Sequence, residues 1–187
     1  LDAYLAGKPQ KEPGSKRKYR PAERFRAPDF DPEASYTVAV VPFLNKYARK
    51  NAGFVLPLHQ VQSLHALDNV RVFEPGLVRE HLLKYRLIMQ AGPSLAVSDI
   101  LASSSSLSAD LILSGQVFDY QDQLGDAKVD FSAQVFDGAN RQVIWWSRST
   151  ARGDDGVYFF DVGRVRSAHS LTQGLSGSIT THLFKEN

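Results

Sequence analysis

The sequence predicts an α/β (α+β) domain built on a single mixed five-stranded sheet, with helices packed on the sheet. Three observations support this fold class: a continuously apolar run near residue 40, apolar residues at helical spacing between residues 54 and 101, and three strand-like stretches after residue 109. Buried strands alternating with helices favour parallel pairing, whereas strands joined by short turns favour antiparallel pairing. The predicted element order is β-α-β-α-α-β-β-β-α.

The first half of the chain predicts two strands, each followed by helices. Residues 36–44 are apolar and rich in β-branched side chains, as expected of a strand buried on both faces. Pro42 implies that the far end of this strand leaves the hydrogen-bonded ladder. A second strand is predicted at 69–73. Periodic apolar residues predict helices over residues 54–67, 77–87 and 95–101.

The second half predicts a meander of three strands and a closing helix. The strands are expected at residues 110–120, 128–136 and 142–150, joined by polar turns. In the middle strand, apolar and polar residues alternate, which indicates one buried face and one wetter face. The closing helix spans residues 165–183. It carries a stripe of small residues that permits close backbone approach, either of the sheet or of a second copy: Ser170, Gly174, Gly177 and Thr181.

The composition indicates one domain on a basic tether. The chain has 187 residues, of which 43% are hydrophobic and 22% charged, as in soluble globular domains. Residues 1–34 are rich in proline and basic side chains and are predicted to be a tether, with residues 20–34 either extended or laid along the domain surface, and residues 35–187 are predicted to be the folded domain. The net charge of +2 lies wholly in this leader. Three roles of this basic leader are left open: a solvated linker, a segment that binds lipid phosphates, and a segment that binds acidic glycans. We expect no nucleic-acid partner, because nucleic-acid binders usually carry their positive charge on the folded face.

The chain contains no cysteine. Disulfides, thiolate metal sites and cysteine nucleophiles are therefore excluded. The absence fits a cytoplasmic protein. It equally fits an envelope lipoprotein whose lipid-bearing cysteine lies upstream of Leu1.

Motifs for catalysis and cofactor binding are lacking in the sequence. We find no phosphate loop, dinucleotide fingerprint or nucleophile elbow. His59 and His65 are six residues apart and His169 and His182 thirteen, whereas chelation from one helix needs a spacing of three or four. The sequence thus predicts no enzyme, no cofactor and no histidine metal site.

A carboxylate cluster precedes the closing helix. Asp154, Asp155 and Asp161 lie among glycines, and oxygen-rich loops of this kind can bind calcium or magnesium. Side-chain to backbone hydrogen bonds within a turn explain the same pattern. A turn, a partner contact and a cation site are all left open.

Aromatic residues supply the candidate partner-binding positions. Trp145 and Trp146 are adjacent on a strand and so point to opposite faces. Either a second layer of helices buries both, or one is exposed and anchors a partner. Tyr158, Phe159 and Phe160 offer a second aromatic surface or plug the base of the closing helix. The candidate partner-binding residues are Trp146, Tyr158, Phe159 and Asp155.

Three segments resemble a group of bacterial envelope proteins. The strand at 38–43 ends in Val-Pro-Phe, residues 109–115 read Ala-Asp-Leu-Ile-Leu-Ser-Gly, and the last hairpin runs from Asn140 to Trp145. These segments are similar to strands of the TolB amino-terminal domain, the curli secretion lipoprotein CsgG and the LpoB-like lipoprotein activators of penicillin-binding proteins. The likeness covers residues 36–184.

The resemblance implies a periplasmic domain, often lipid-anchored to the outer membrane, that works by protein contact. We therefore expect a non-enzymatic adaptor that binds another envelope protein, with self-association left open. The alternative is a small-ligand or glycan module that uses the crevice at the carboxyl ends of the first two strands. The chain departs from CsgG in lacking long barrel-forming hairpins, and from TolB in lacking propeller repeats.

Overall fold

The computed structural model describes residues 19, 21–45, 51–84, 101, 107–123, 126–157 and 159–185. Seven strands and three helices are seen in these ranges: β1 (Glu23–Arg26), β2 (Tyr36–Val40), β3 (Leu44–Asn45), α1 (Ala52–Leu64), β4 (Val70–Phe73), α2 (Pro75–Lys84), β5 (Leu111–Gln123), β6 (Asp126–Asp137), β7 (Val143–Arg152) and α3 (Ala168–Phe184). None of these helices is long and apolar enough to span a bilayer.

All seven strands belong to one mixed sheet. Its order is β1-β7-β6-β5-β2-β4, and the short β3 pairs with β5 beyond the end of β2. β2 runs parallel to both β4 and β5, whereas β5, β6, β7 and β1 form an antiparallel meander. The predicted class, a single mixed sheet carrying helices, is confirmed. The predicted number of five strands is wrong, because β1 and β3 were not foreseen.

β3 is separate from β2 because the chain leaves the ladder at Pro42, which has no N–H to donate. The backbone N–H of Val41 still bonds to the Leu113 carbonyl at 2.9 Å, but that of Phe43 turns to Gly53 at 2.9 Å. Pairing then resumes at Leu44. The sequence located this break but not the two residues that rejoin the sheet.

β1 lies in the segment predicted as a tether and extends the edge of β7. Pro21 and Pro28 flank β1, which is where proline is compatible with an edge strand. Residues 1–18 and most of the predicted helix at 95–101 lie outside the described residues. From that helix only Leu101 is described, and it is helical.

Two apolar layers cover the sheet unequally. On one face, α1 and α3 close the larger core over β5, β6 and β7, where Phe131 and Trp145 are fully buried. On the other face, α2 and Leu101 pack over β2 and Ile112. The four apolar residues predicted to face inward from β6 are all buried, which confirms the alternation: Val129, Phe131, Ala133 and Val135.

A strap, defined here as Tyr19 with residues 21–30, fastens the start of the described chain to α3. The guanidinium of Arg26 donates to the carbonyl oxygens of His182 and Leu183 at 3.3 and 3.4 Å, where a cation complements the carboxyl end of a helix. The Phe30 ring meets Phe184 edge-on, with centroids 5.8 Å apart. The strap therefore contacts both the sheet edge and the closing helix.

Tyr19 of the strap packs against the small-residue stripe of α3. A Cβ added at Gly174 would overlap the Tyr19 ring, whereas one at Gly177 would meet no atom within 4 Å. The Ser178 hydroxyl also donates to the Tyr19 carbonyl. The close approach predicted for this stripe is therefore made by Tyr19 of the leader at Gly174, and not by the sheet.

We predict that Gly177→Ala stabilises the domain by about 0.5–1 kcal/mol, because alanine in a helix costs less backbone entropy than glycine. The matched variant Gly174→Ala gains the same helix propensity but displaces Tyr19. We expect Gly174→Ala to raise the free energy of unfolding, measured with urea, by less than Gly177→Ala does. We also expect faster hydrogen exchange at the β1 amides. Equal stability and equal exchange in the two variants would contradict this role of Gly174.

Candidate functional site

Beside β7, the second face of the sheet has no helix of the described residues packed over it. Phe25 of β1 and Gln134 of β6 pair with Trp146 in neighbouring strands, and directly paired residues share a face. Trp145 points the other way and is 1% exposed, whereas Trp146 is half-buried and Phe25 is 48% exposed. The two indoles do lie on opposite faces, as predicted, and only Trp145 belongs to the core. We call Phe25, Phe118, Trp146 and Arg148 the open face.

Arg148 gives the open face a fixed, flat cation. Its Nε and one terminal nitrogen donate to the two carboxylate oxygens of Asp130 at 2.9 and 2.8 Å. Its guanidinium carbon lies 3.9 Å from the centroid of the Phe118 ring, a cation–π contact. The hydrogen bonds to Asp130 raise the pKa of Arg148. The charge is therefore retained, and the side chain is held in one orientation.

The acidic loop after β7 folds as a turn. The Asp155 carboxylate accepts a hydrogen bond from the backbone N–H of Arg152 at 2.6 Å, and Asp161 accepts from Nε of Arg164 at 3.1 Å. Within the described residues, no three histidine or acidic side chains converge on a metal position. The hydrogen bonds match the turn interpretation of the cluster.

The same loop displays an aromatic side chain on strained backbone. Phe160 and Asp161 have φ of 52° and 61°, in the left-handed region, which costs roughly 1–2 kcal/mol for each non-glycine residue. Phe160 is 89% exposed and Val162 66%. Such strain persists only where the surrounding structure imposes it, and it clusters at functional sites.

The predicted site residues in this loop are only partly described. Tyr158 and the side chain of Phe159 lie outside the described residues. Phe160 belongs to the aromatic surface predicted from the sequence but was not among the four candidate partner-binding residues. The exposure of Phe160 follows from its left-handed backbone, which the sequence does not reveal.

A pair of histidines joins α1 to α3. Nε2 of His59 lies 3.0 Å from Nδ1 of His169, and the ring centroids are 4.3 Å apart. His59 is 5% exposed, whereas His169 is exposed. Burial is the larger cause that lowers the pKa of His59, and the nearby His169 is the smaller one. The sequence spacings did not reveal this pair, because only histidines within a single helix were compared.

A cavity of about 270 Å³ lies at the amino ends of β2 and β4. Tyr36, Asn69 and Arg71 are among its lining residues. Asn69 is committed to structure there, since its amide donates to the carbonyl oxygens of Pro32 and Ala34. The ligand-binding alternative used the opposite, carboxyl ends of these strands, so this cavity does not support it.

No protein-family model and no curated protein sequence matches this chain. Among solved structures, the PelC dodecamer from Paraburkholderia phytofirmans is similar at 19% identity and TM-score 0.57, over 88% of this chain and 97% of that chain. Lipoprotein GNA1162 from Neisseria meningitidis is similar at 18% identity and TM-score 0.50, over 63% and 80%.

The LpoB C-terminal domain from Salmonella enterica matches at 11% identity and TM-score 0.48, over 67% of this chain and 87% of that chain. At identities of 18–19%, the likeness to PelC and GNA1162 is a likeness of fold. The fold is shared with a bacterial lipoprotein, GNA1162. The resemblance to envelope lipoproteins stated from the sequence is thus confirmed at the level of fold.

We predict that the domain loses stability as the pH falls below about 6.5, the ordinary histidine pKa. The pKa of His59 is lower in the folded state than in the unfolded state, so the unfolded chain binds the proton more readily and acid favours unfolding. Urea unfolding at pH 7.5 and 5.5 measures the effect. His59→Gln should reduce the difference between the two pH values.

The control for this prediction is His65→Gln. His65 is exposed at the end of α1, so its removal should leave the pH dependence as in the parent chain. An unchanged pH dependence in His59→Gln would show that the acid sensitivity arises elsewhere.

Proposed function

We propose that this domain is a non-enzymatic adaptor of the bacterial cell envelope that acts by binding another envelope protein. The main support for this proposal is the open face, where Trp146 and Phe25 lie side by side without a described helix above them. Tryptophan and arginine are enriched at the energetic centres of protein interfaces. A face that presents Trp146 beside a fixed Arg148 has the composition of a contact surface.

Self-association is the first contact to test. PelC from Paraburkholderia phytofirmans, which is similar in fold, is a dodecamer, and we propose that this chain also contacts copies of itself. The open face extends through Phe25 onto β1, a strand of four residues at the edge of the sheet. A neighbouring copy seated there would cover Phe25 and Trp146 together.

The acidic loop is proposed as a second contact. Phe160 is held outward by left-handed backbone, and Tyr158, Phe159 and Asp155 are its neighbours in sequence. A rigid aromatic anchor loses little conformational entropy on binding. Asp155 acts here by closing the turn through the Arg152 amide.

The location proposed is the periplasm, with a lipid tether to the outer membrane. Support comes from the shared fold with a lipoprotein and from the basic, proline-rich leader. The coding sequence upstream of Leu1 tests this directly. A signal peptide ending at a lipid-attachment cysteine is expected, and a cytoplasmic start codon would contradict it.

We predict that Trp146→Ala weakens self-association while the melting temperature changes by only a few degrees, roughly the shift expected for 1 kcal/mol. The half-buried indole contributes contact area more than core packing. Analytical ultracentrifugation over a concentration series measures the association. Leu77→Ala is the matched control, because Leu77 is 48% exposed on α2, outside the open face.

Photo-crosslinking residues placed singly at positions 146 and 160 test the open face and the second contact in living cells, with position 77 as the control. We expect a specific crosslinked product at position 160 and none at position 77. A chain that stays monomeric and gives no product at either 146 or 160 would contradict the adaptor function.

A further inference from the structure

We propose that His59 and His169 together bind a divalent transition-metal ion, of the class Zn²⁺, Cu²⁺ or Ni²⁺, that links α1 to α3. The site is independent of the open face and of the proposed adaptor function. It rests on two imidazole rings that the fold brings together from positions 110 residues apart.

The spacing of the two nitrogens fits two ligands of one ion. With metal–nitrogen bonds of about 2.0–2.1 Å, nitrogens in adjacent positions lie about 2.9 Å apart at a right angle and about 3.4 Å apart at the tetrahedral angle. The observed separation of Nε2 of His59 and Nδ1 of His169 is 3.0 Å. Binding one ion requires both rings, which now meet at 65°, to turn until their lone pairs point at a common metal position.

The backbone on both sides of the pair is anchored before any metal binds. Asp122 of β5 accepts a hydrogen bond from the Ala168 amide at 2.8 Å, and Ser167 caps the first turn of α3 by accepting from Ser170. On α1, Leu56 is fully buried one turn before His59. Anchored ligands lose little freedom on binding, which favours chelation.

The chemistry of the pair selects the class of ion. Neutral imidazole is a preferred ligand of zinc, copper and nickel, whereas calcium and magnesium prefer oxygen ligands. In the metal-free pair, one proton lies between the two facing nitrogens as a hydrogen bond. The ion takes the place of that proton, which moves to the other nitrogen of the same ring, and each ring stays neutral.

Two protein ligands leave open coordination positions. His169 is exposed, so water fills these positions, and the site resembles an open metal centre more than a closed structural one. A bound ion would tie α1 to α3 only in the folded state and would raise its stability by linkage.

The test is titration of the untagged chain with ZnCl₂, CuCl₂, NiCl₂ and MgCl₂ at pH 7.5, followed by melting temperature and calorimetry. We expect the transition metals to raise the melting temperature and magnesium to have no effect. The variant His169→Gln should bind about tenfold more weakly or worse, since one of two ligands is lost. His169 is exposed, so this variant is expected to fold.

Three of the five histidines lie outside the pair and provide the controls: His65, His81 and His182. His65→Gln should bind the ions as the parent chain does. Shifts of the ring resonances of His59 and His169 on addition of diamagnetic Zn²⁺ would identify the ligands directly. The proposal is overturned if none of the three metals raises the melting temperature at millimolar concentration, or if His169→Gln binds them as tightly as the parent.

Discussion

The pairing of β5 with β6 positions every other part of this domain. It runs from Leu111 opposite Asp137 to Gln123 opposite Asp126, with one irregularity between Val117 and Asp119. β5 also accepts β2 and β3 in parallel on its other edge. Because side chains alternate along a strand, this one register determines which residues of the meander lie under helices and which face outward.

Close packing at the centre of this pairing depends on Gly115. A Cβ at this position would lie 2.6 Å from Cε2 of Phe43 and would overlap the carbonyl oxygen of Ser132. The missing side chain lets the Phe43 ring fill the space between β5 and α1, beside Phe131. The turn at Pro42 that separates β2 from β3 is what places Phe43 there, so the strand break and the glycine act together.

The unequal covering of the two faces links the fold to the proposed contact surfaces. α1 and α3 are both needed to bury the long apolar face of β5, β6 and β7, whereas α2 reaches the β2 side of the other face. Trp146 and Arg148 remain on the part of that face left without a described helix. The strap adds β1 to the same edge and carries Phe25 into line with Trp146. The leader thus contributes to the surface proposed for partner binding, besides being fastened to α3 at Gly174.

The sequence by itself determined the features that depend on local periodicity and turn chemistry. The alternation in β6, the break at Pro42, the opposite facing of Trp145 and Trp146, and the fold class could all be predicted, because each follows from neighbouring residues. Only the tertiary structure decided which surfaces meet. The His59–His169 pair, the seat of Tyr19 on Gly174 and the addition of β1 to β7 join residues more than 100 positions apart. Their contact depends on how helices and strands pack in three dimensions, and no local pattern encodes that.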